Sequence, residues 1–115
     1  MASIRQEKVG KLIQQELAII FQQNAQAHFH GAFITVTVVR MSPDLRSSRI
    51  YLSFFANKGT DKKELLELIR SKTSLVRGML GNRVGKQLRV VPELYFYLDD
   101  SLDYAQEIDE ILDGE

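Results

Sequence analysis

Six cations, Arg70, Lys72, Arg77, Arg83, Lys86 and Arg89, stand in a stretch that has no Asp or Glu from Leu68 to Pro92. Guanidinium and ammonium groups without neighbouring carboxylates attract phosphate oxygens, so the run points to a polyanion and, among polyanions, to RNA. Arg5, Lys8 and Lys11 near the N-terminus add to the same field, and Ser74 inside the run offers a hydroxyl or a backbone N–H to a phosphate. A merely solvated surface suits Lys58, Lys62 and Lys63 better, because Asp61, Glu64 and Glu67 lie among them.

Other chemistry is poorly supplied. His28 and His30 fall on one side of an extended segment if it is extended, but no carboxylate nearby completes a metal ligand set. Gly81-Asn82-Arg83-Val84-Gly85-Lys86 is one residue short of a phosphate loop, and Gln87 stands where Ser or Thr would hold magnesium. The acids from Asp99 to Glu115 lie along one terminal segment, whereas a two-metal nuclease centre needs carboxylates converging from separate elements. The chain has no cysteine, so thiolate catalysis, disulfides and zinc knuckles are excluded. No catalytic residue, metal, cofactor or small-molecule substrate is expected: the chain reads as a binding protein and not an enzyme.

Charge is unevenly distributed. All 15 Lys and Arg and only seven of the 15 acids fall in residues 1–98, while the other eight acids fill 99–115 without a base. That division predicts a domain over 1–99 and an acidic helical tail over 100–115, the tail being able to compete with RNA for the basic face. No run approaches the ~18 apolar residues of a membrane span, and Gln6 and Glu7 interrupt the place of a signal peptide's apolar region. A cytoplasmic monomer without membrane contact is the expectation.

The elements that position these residues are legible from periodicity. Ser3-Ile4-Arg5-Gln6 is a capping box, and Val9, Leu12, Ile13, Leu17, Ile20 and Phe21 follow at helical spacing until about Asn24 to Gly31, where a polar loop begins. Phe33 to Met41 is strand-like, with Ile34, Val36 and Val38 opposing Thr35, Thr37 and Val39. Ser42-Pro43-Asp44 turns the chain into a second strand, Arg49 to Ala56. A helix opens at Asp61, loses its apolar stripe at Lys72-Thr73-Ser74, resumes with Leu75, Val76, Met79 and Leu80, and ends between about Leu80 and Gln87. Val90 to Asp99 forms the third strand, parallel to the second because a helical crossover joins them. Helices cover one face of this three-stranded mixed sheet. Phe21, Phe33, Phe54 and Phe96 are assigned to the core. Tyr51, Phe55, Tyr95 and Tyr97 share a sheet face, for which packing or coverage by the terminal helix is expected over base stacking.

Several segments together resemble one family, ribosome-binding factor A. They are the basic opening helix, Met41-Ser42-Pro43-Asp44-Leu45, Arg49-Ile50-Tyr51-Leu52-Ser53-Phe54, Leu75-Val76-Arg77-Gly78-Met79-Leu80-Gly81, Leu88-Arg89-Val90-Val91-Pro92-Glu93-Leu94-Tyr95-Phe96 and Asp99-Asp100-Ser101-Leu102. The resemblance implies an α+β, type II KH-like fold, α-β-β-α-kink-α-β with a short acidic C-terminal helix. It also implies a non-catalytic factor that binds the small (30S) ribosomal subunit and its 16S rRNA during late maturation and rRNA processing. In that family an Ala-x-Gly kink interrupts the helix; Lys72-Thr73-Ser74 occupies the place here, a departure that leaves Ser74 to bend the helix through its side chain. Gly78-Met79-Leu80-Gly81 spells Gly-x-x-Gly, but its apolar pair assigns it to helix core.

Overall fold

A computed structural model describes residues 3–55 and 61–99. The order is α1 (Ile4–His28), β1 (Phe33–Met41), β2 (Ser47–Phe55), α2 (Lys62–Ser71), α3 (Thr73–Val84) and β3 (Glu93–Leu98). The terminal helix expected from Asp100, and with it the division between 99 and 100, lies outside the described residues.

The capping box at the start of α1 is complete. Ser3 Oγ accepts from Gln6 N–H at 3.1 Å, and Gln6 Oε1 accepts from Ser3 N–H at 2.7 Å. Gln6 then uses its Nε2 to donate to Met41 O at 3.0 Å, which fixes the helix start against the end of β1. The close approach continues at Gly10, where an added Cβ would stand 3.3 Å from Val39 O. The helix runs to His28, further than the apolar stripe, because Phe29 rather than a polar loop residue is its cap and is buried. Phe29 packs edge-on against Phe21, with ring centroids 5.4 Å apart. His30 and Gly31 both take positive φ and turn the chain, and Gly31 N–H donates to Ala25 O at 2.8 Å. The histidines are thus not on an extended segment.

The sheet order is β1-β2-β3, with β1 and β2 antiparallel and β2 and β3 parallel, as the connections predict. A bulge between Val36 and Val38 shifts the β1 register. Val39, not Val38, therefore faces the core beside Ile50, and Val38 joins Tyr51 on the opposite face. Gln14 of α1 supplies the bulge with a donor, its Nε2 lying 3.0 Å from Val36 O and 3.2 Å from Thr37 O. Pro92 directly precedes β3, where its missing N–H removes no ladder bond.

Ile13, Leu17, Ile20 and Phe21 of α1, Leu65, Leu66 and Ile69 of α2, and Val76, Leu80 and Val84 of α3 bury against Ile34, Val36, Ile50, Leu52, Phe54, Leu94 and Phe96 of the sheet. Leu80 is fully buried and Met79 packs against the core, so the Gly-x-x-Gly segment is helix core as expected. Phe33 is not core: it is 64% exposed, because the first residue of β1 points away from the helices. Ser48, buried beneath them, satisfies its hydroxyl on Glu93 O at 2.9 Å.

Candidate nucleic-acid interface

The helical break stands where the apolar stripe fails. Lys72 leaves helical geometry, with φ −106° and ψ 19°, and serves as both the last cap of α2 and the first of α3. Its N–H bonds back to Ile69 O and its carbonyl accepts from Val76 N–H, so the two helices continue through it with one irregular residue. The bending hydroxyls are Ser71 Oγ, which donates to Leu68 O at 2.6 Å, and Thr73 Oγ1, which donates to Arg70 O at 2.8 Å. Ser74 does not take that role; it is exposed in the first turn of α3, whose start has no side-chain cap. Uncapped N–H groups at a helix start are ready ligands for phosphate. Lys72 Nζ lies 3.3 Å from His28 Nδ1, so the histidine serves the break. No metal-ligand cluster occurs among the described residues.

Beside the break runs a groove between the helices and the edge strand β3, lined by Arg70, Thr73 and Glu93 through Tyr97. Arg70 spans it. Its Nε and NH2 donate to Phe96 O at 3.0 and 2.8 Å, and NH1 pairs with Glu67 at 2.9 Å. Arg77 similarly donates from NH2 to Val91 O at 2.6 Å and from Nε to Pro92 O at 3.1 Å, with Glu93 3.8 Å from NH1. Arg83 donates to Glu16 Oε1 at 2.5 Å. Three of the six cations in the acid-free run thus hold the fold together while keeping part of their guanidinium surface exposed.

The remainder gather elsewhere. Arg5 of α1, Arg46 of the turn between β1 and β2, and Arg89 of the loop before β3 line one cleft with Val9, Leu88 and Val90, and Asp44 of the turn is its one acid. Lys8 and Lys11 line a second hollow of α1, with Glu7 and beside Val39, and Lys86 is exposed just after α3. None of these has an ion pair among the described residues. Helix α3 is about 18 Å long at 1.5 Å per residue, and separates the break from this basic foot. The segment Gly81–Lys86 is no phosphate loop, since its first four residues complete α3.

Arg46 was not among the expected ligands: a lone cation beside Asp44 in a turn gives no signal in sequence. The turn itself aims it. Ser42 Oγ donates to Asp44 Oδ1 at 2.7 Å, Arg46 N–H reaches the same oxygen at 3.0 Å, and Leu45 takes φ 62°. The Ser42 hydroxyl above all, and then the Arg46 N–H, hold the Asp44 carboxyl below its ordinary pKa, so the acid is committed to the turn.

The chain's residues 5–112 match the family model described as ribosome-binding factor A. The chain belongs to the ribosome-binding factor A family. Ribosome-binding factor A of Cytophaga hutchinsonii is 46% identical over 112 residues, covering 97% of this chain and 83% of that protein. Ribosome-binding factor A of Flavobacterium johnsoniae is 41% identical over 115 residues, covering 99% and 87%. The crystal structure of ribosome-binding factor A from Thermus thermophilus superposes with a TM-score of 0.66 at 20% identity, covering 81% of this chain and 94% of that one. A homology model of the Thermus thermophilus ribosome-binding factor A, fitted into a cryo-EM map of its 30S complex, gives 0.60 at 22%, covering 76% and 88%. The α+β, KH-like fold of ribosome-binding factor A structures is therefore the fold of this chain.

Proposed function

We propose that this chain binds the small ribosomal subunit through 16S rRNA, as a non-catalytic assembly factor acting in late maturation and rRNA processing, and that it works in the cytoplasm as a monomer. The domain over 1–99 carries the contact, with residues 100–115 as its acidic appendage. The observation that carries the reading is the basic foot: Arg5, Arg46 and Arg89 converge from three elements, with Lys8 and Lys11 on the same helix as Arg5; none of them has an ion pair among the described residues, and Asp44, the acid of the arginine cleft, spends its carboxylate on its own turn. Cations that the fold does not use are free to release counterions from an RNA backbone. The break supports it with Ser74, Lys72 and the uncapped start of α3, and the exposed parts of Arg70, Arg77 and Arg83 add to the field between the two. Membership in the family and the 30S complex of the Thermus thermophilus relative make the small subunit the ribosomal partner of choice.

Sucrose-gradient sedimentation of the chain with ribosomal subunits tests this. The expected result is co-migration with free 30S particles and its disappearance as salt is raised. A chain that stays at the top of the gradient at low salt overturns the proposal.

A further inference from the structure

The helices cover one face of the sheet, and the other alternation of its residues faces outward. The register arranges this outward face in two rows. Arg40 of β1 lies opposite Arg49 of β2, which neighbours Tyr95 of β3; one step along, Val38, Tyr51 and Tyr97 align in the same way. Tyr51 and Tyr97 stack, with centroids 5.5 Å apart and planes 29° off parallel. Arg70 closes the second row, its guanidinium carbon 5.7 Å from the Tyr97 ring centre. Tyr95 is 52% exposed and Tyr97 39%, so these two rings are not core; the expected coverage by the terminal helix lies outside the described residues.

Two features of this face point to a ligand. Like charges directly opposite on antiparallel strands repel, and neither Arg40 nor Arg49 has an ion pair among the described residues to offset that cost. An anion seated over them removes the repulsion. Beside the arginines are aromatic faces at strand spacing, where Tyr95 and Tyr97 stand about 6.6 Å apart along β3. The acids of the face sit at its ends and are engaged: Glu93 lies 3.8 Å from Arg77, and Asp99 Oδ2 accepts from the Thr37 hydroxyl at 2.6 Å. Phosphate charge and base stacking are what single-stranded RNA presents together.

We propose that this sheet face, which none of the described helices covers, is a second RNA site, on which unpaired nucleotides stack over Tyr95 and Tyr97 while their phosphates lie on Arg40 and Arg49. The inference rests on RNA being the chain's partner, and it adds a surface separate from the basic foot. Duplex RNA, whose bases are already stacked, gains nothing from the tyrosines and is left to the cations.

The chain has four tyrosines and no tryptophan, and three of the tyrosines, Tyr51, Tyr95 and Tyr97, belong to this face. Intrinsic fluorescence of the full chain carrying Tyr104→Phe therefore reports on the site. Titration with a ten-nucleotide oligouridylate is expected to quench it, and an RNA hairpin of equal charge or inorganic phosphate is expected to leave it nearly unchanged. Tyr95→Ala should weaken oligouridylate binding by about tenfold, the size of one base stack, Tyr95→Phe should restore it, and Arg49→Gln should weaken it with a shallower salt dependence. Arg5→Glu with Arg89→Glu should cripple subunit binding yet keep the quench, which separates the sheet face from the basic foot. The proposal is overturned if Tyr95→Ala and Arg49→Gln bind oligouridylate as the parent does. It is equally overturned if acrylamide fails to reach these tyrosines in the RNA-free chain, because another part of the chain then occupies the face.

Discussion

Arg83 of α3 places its Nε 2.5 Å from Oε1 of Glu16 in α1, joining two helices across 67 residues of sequence. The side chains are 37% and 20% exposed, so water screens the pair only partly. Arg83→Gln is expected to cost about 0.5–1.5 kcal/mol, read as a fall of a few degrees in the thermal midpoint. Affinity for small subunits should change by less than about threefold, under 0.7 kcal/mol, if the foot carries most of the binding. Calorimetry and a binding isotherm on the same variant check both halves.

Arg77 holds the carbonyls of Val91 and Pro92, the residues that deliver the chain into β3. Charge-assisted bonds of this kind contribute ~1.5–3 kcal/mol, and a lysine has no planar fork with which to replace two of them. Arg77→Lys and Arg77→Ala should therefore both lower the urea midpoint, with faster hydrogen exchange at the start of β3. An unchanged midpoint in Arg77→Ala would show that the tie is incidental.

Asp44 lies in an exposed turn whose hydrogen bonds favour its ionised form. A carboxyl with a lowered folded pKa stabilises the fold at pH above its unfolded value, near 3.9, and loses that contribution as pH falls through the folded value. Asp44→Asn should flatten the acid limb of the stability curve and leave a loop in which Arg46 is less well aimed. The check is stability against pH from 6 down to 2, compared between parent and variant.

Phe29 fills the corner between α1, β1 and the Phe21 ring, although it follows a polar stretch of helix. Phe29→Ala is expected to cost about 3–5 kcal/mol, which in a domain of this size shows as a large fall in denaturation midpoint. Phe33→Ala, at an exposed position only four residues later, should cost a small fraction of that.

Element order, the parallel pairing of β2 and β3 and the position of the break were all legible, because each follows from local periodicity or from a connection rule. The failures share a cause, which is that they depend on partners distant in sequence. Val36-Thr37-Val38-Val39 favours a strand at every position and carries no mark of the bulge, which is set by how Gln14 and Tyr51 meet it. Phe33 reads as core until its place at the outward start of β1 is known. The acid-free run from Leu68 to Pro92 suggested six equivalent cations, but acidity nearby in sequence is not acidity nearby in space: Glu16 answers Arg83, and backbone carbonyls before and within β3 answer Arg77 and Arg70. Arg46, isolated in its turn, shows its value only where Arg5 and Arg89 arrive beside it.

The most direct measurement is the affinity of the charge-reversed foot, Arg5→Glu with Arg89→Glu, for purified small ribosomal subunits across a salt series, beside Lys63→Gln, at an exposed lysine outside the proposed interface, as the internal control. If the unpartnered cations hold rRNA, the reversed chain stays folded, binds at least tenfold more weakly, and shows a log–log salt slope shallower by about 0.7–0.9 for each phosphate it no longer neutralises. A reversed foot that binds with the parent's affinity and the parent's slope contradicts the assignment of rRNA to these cations.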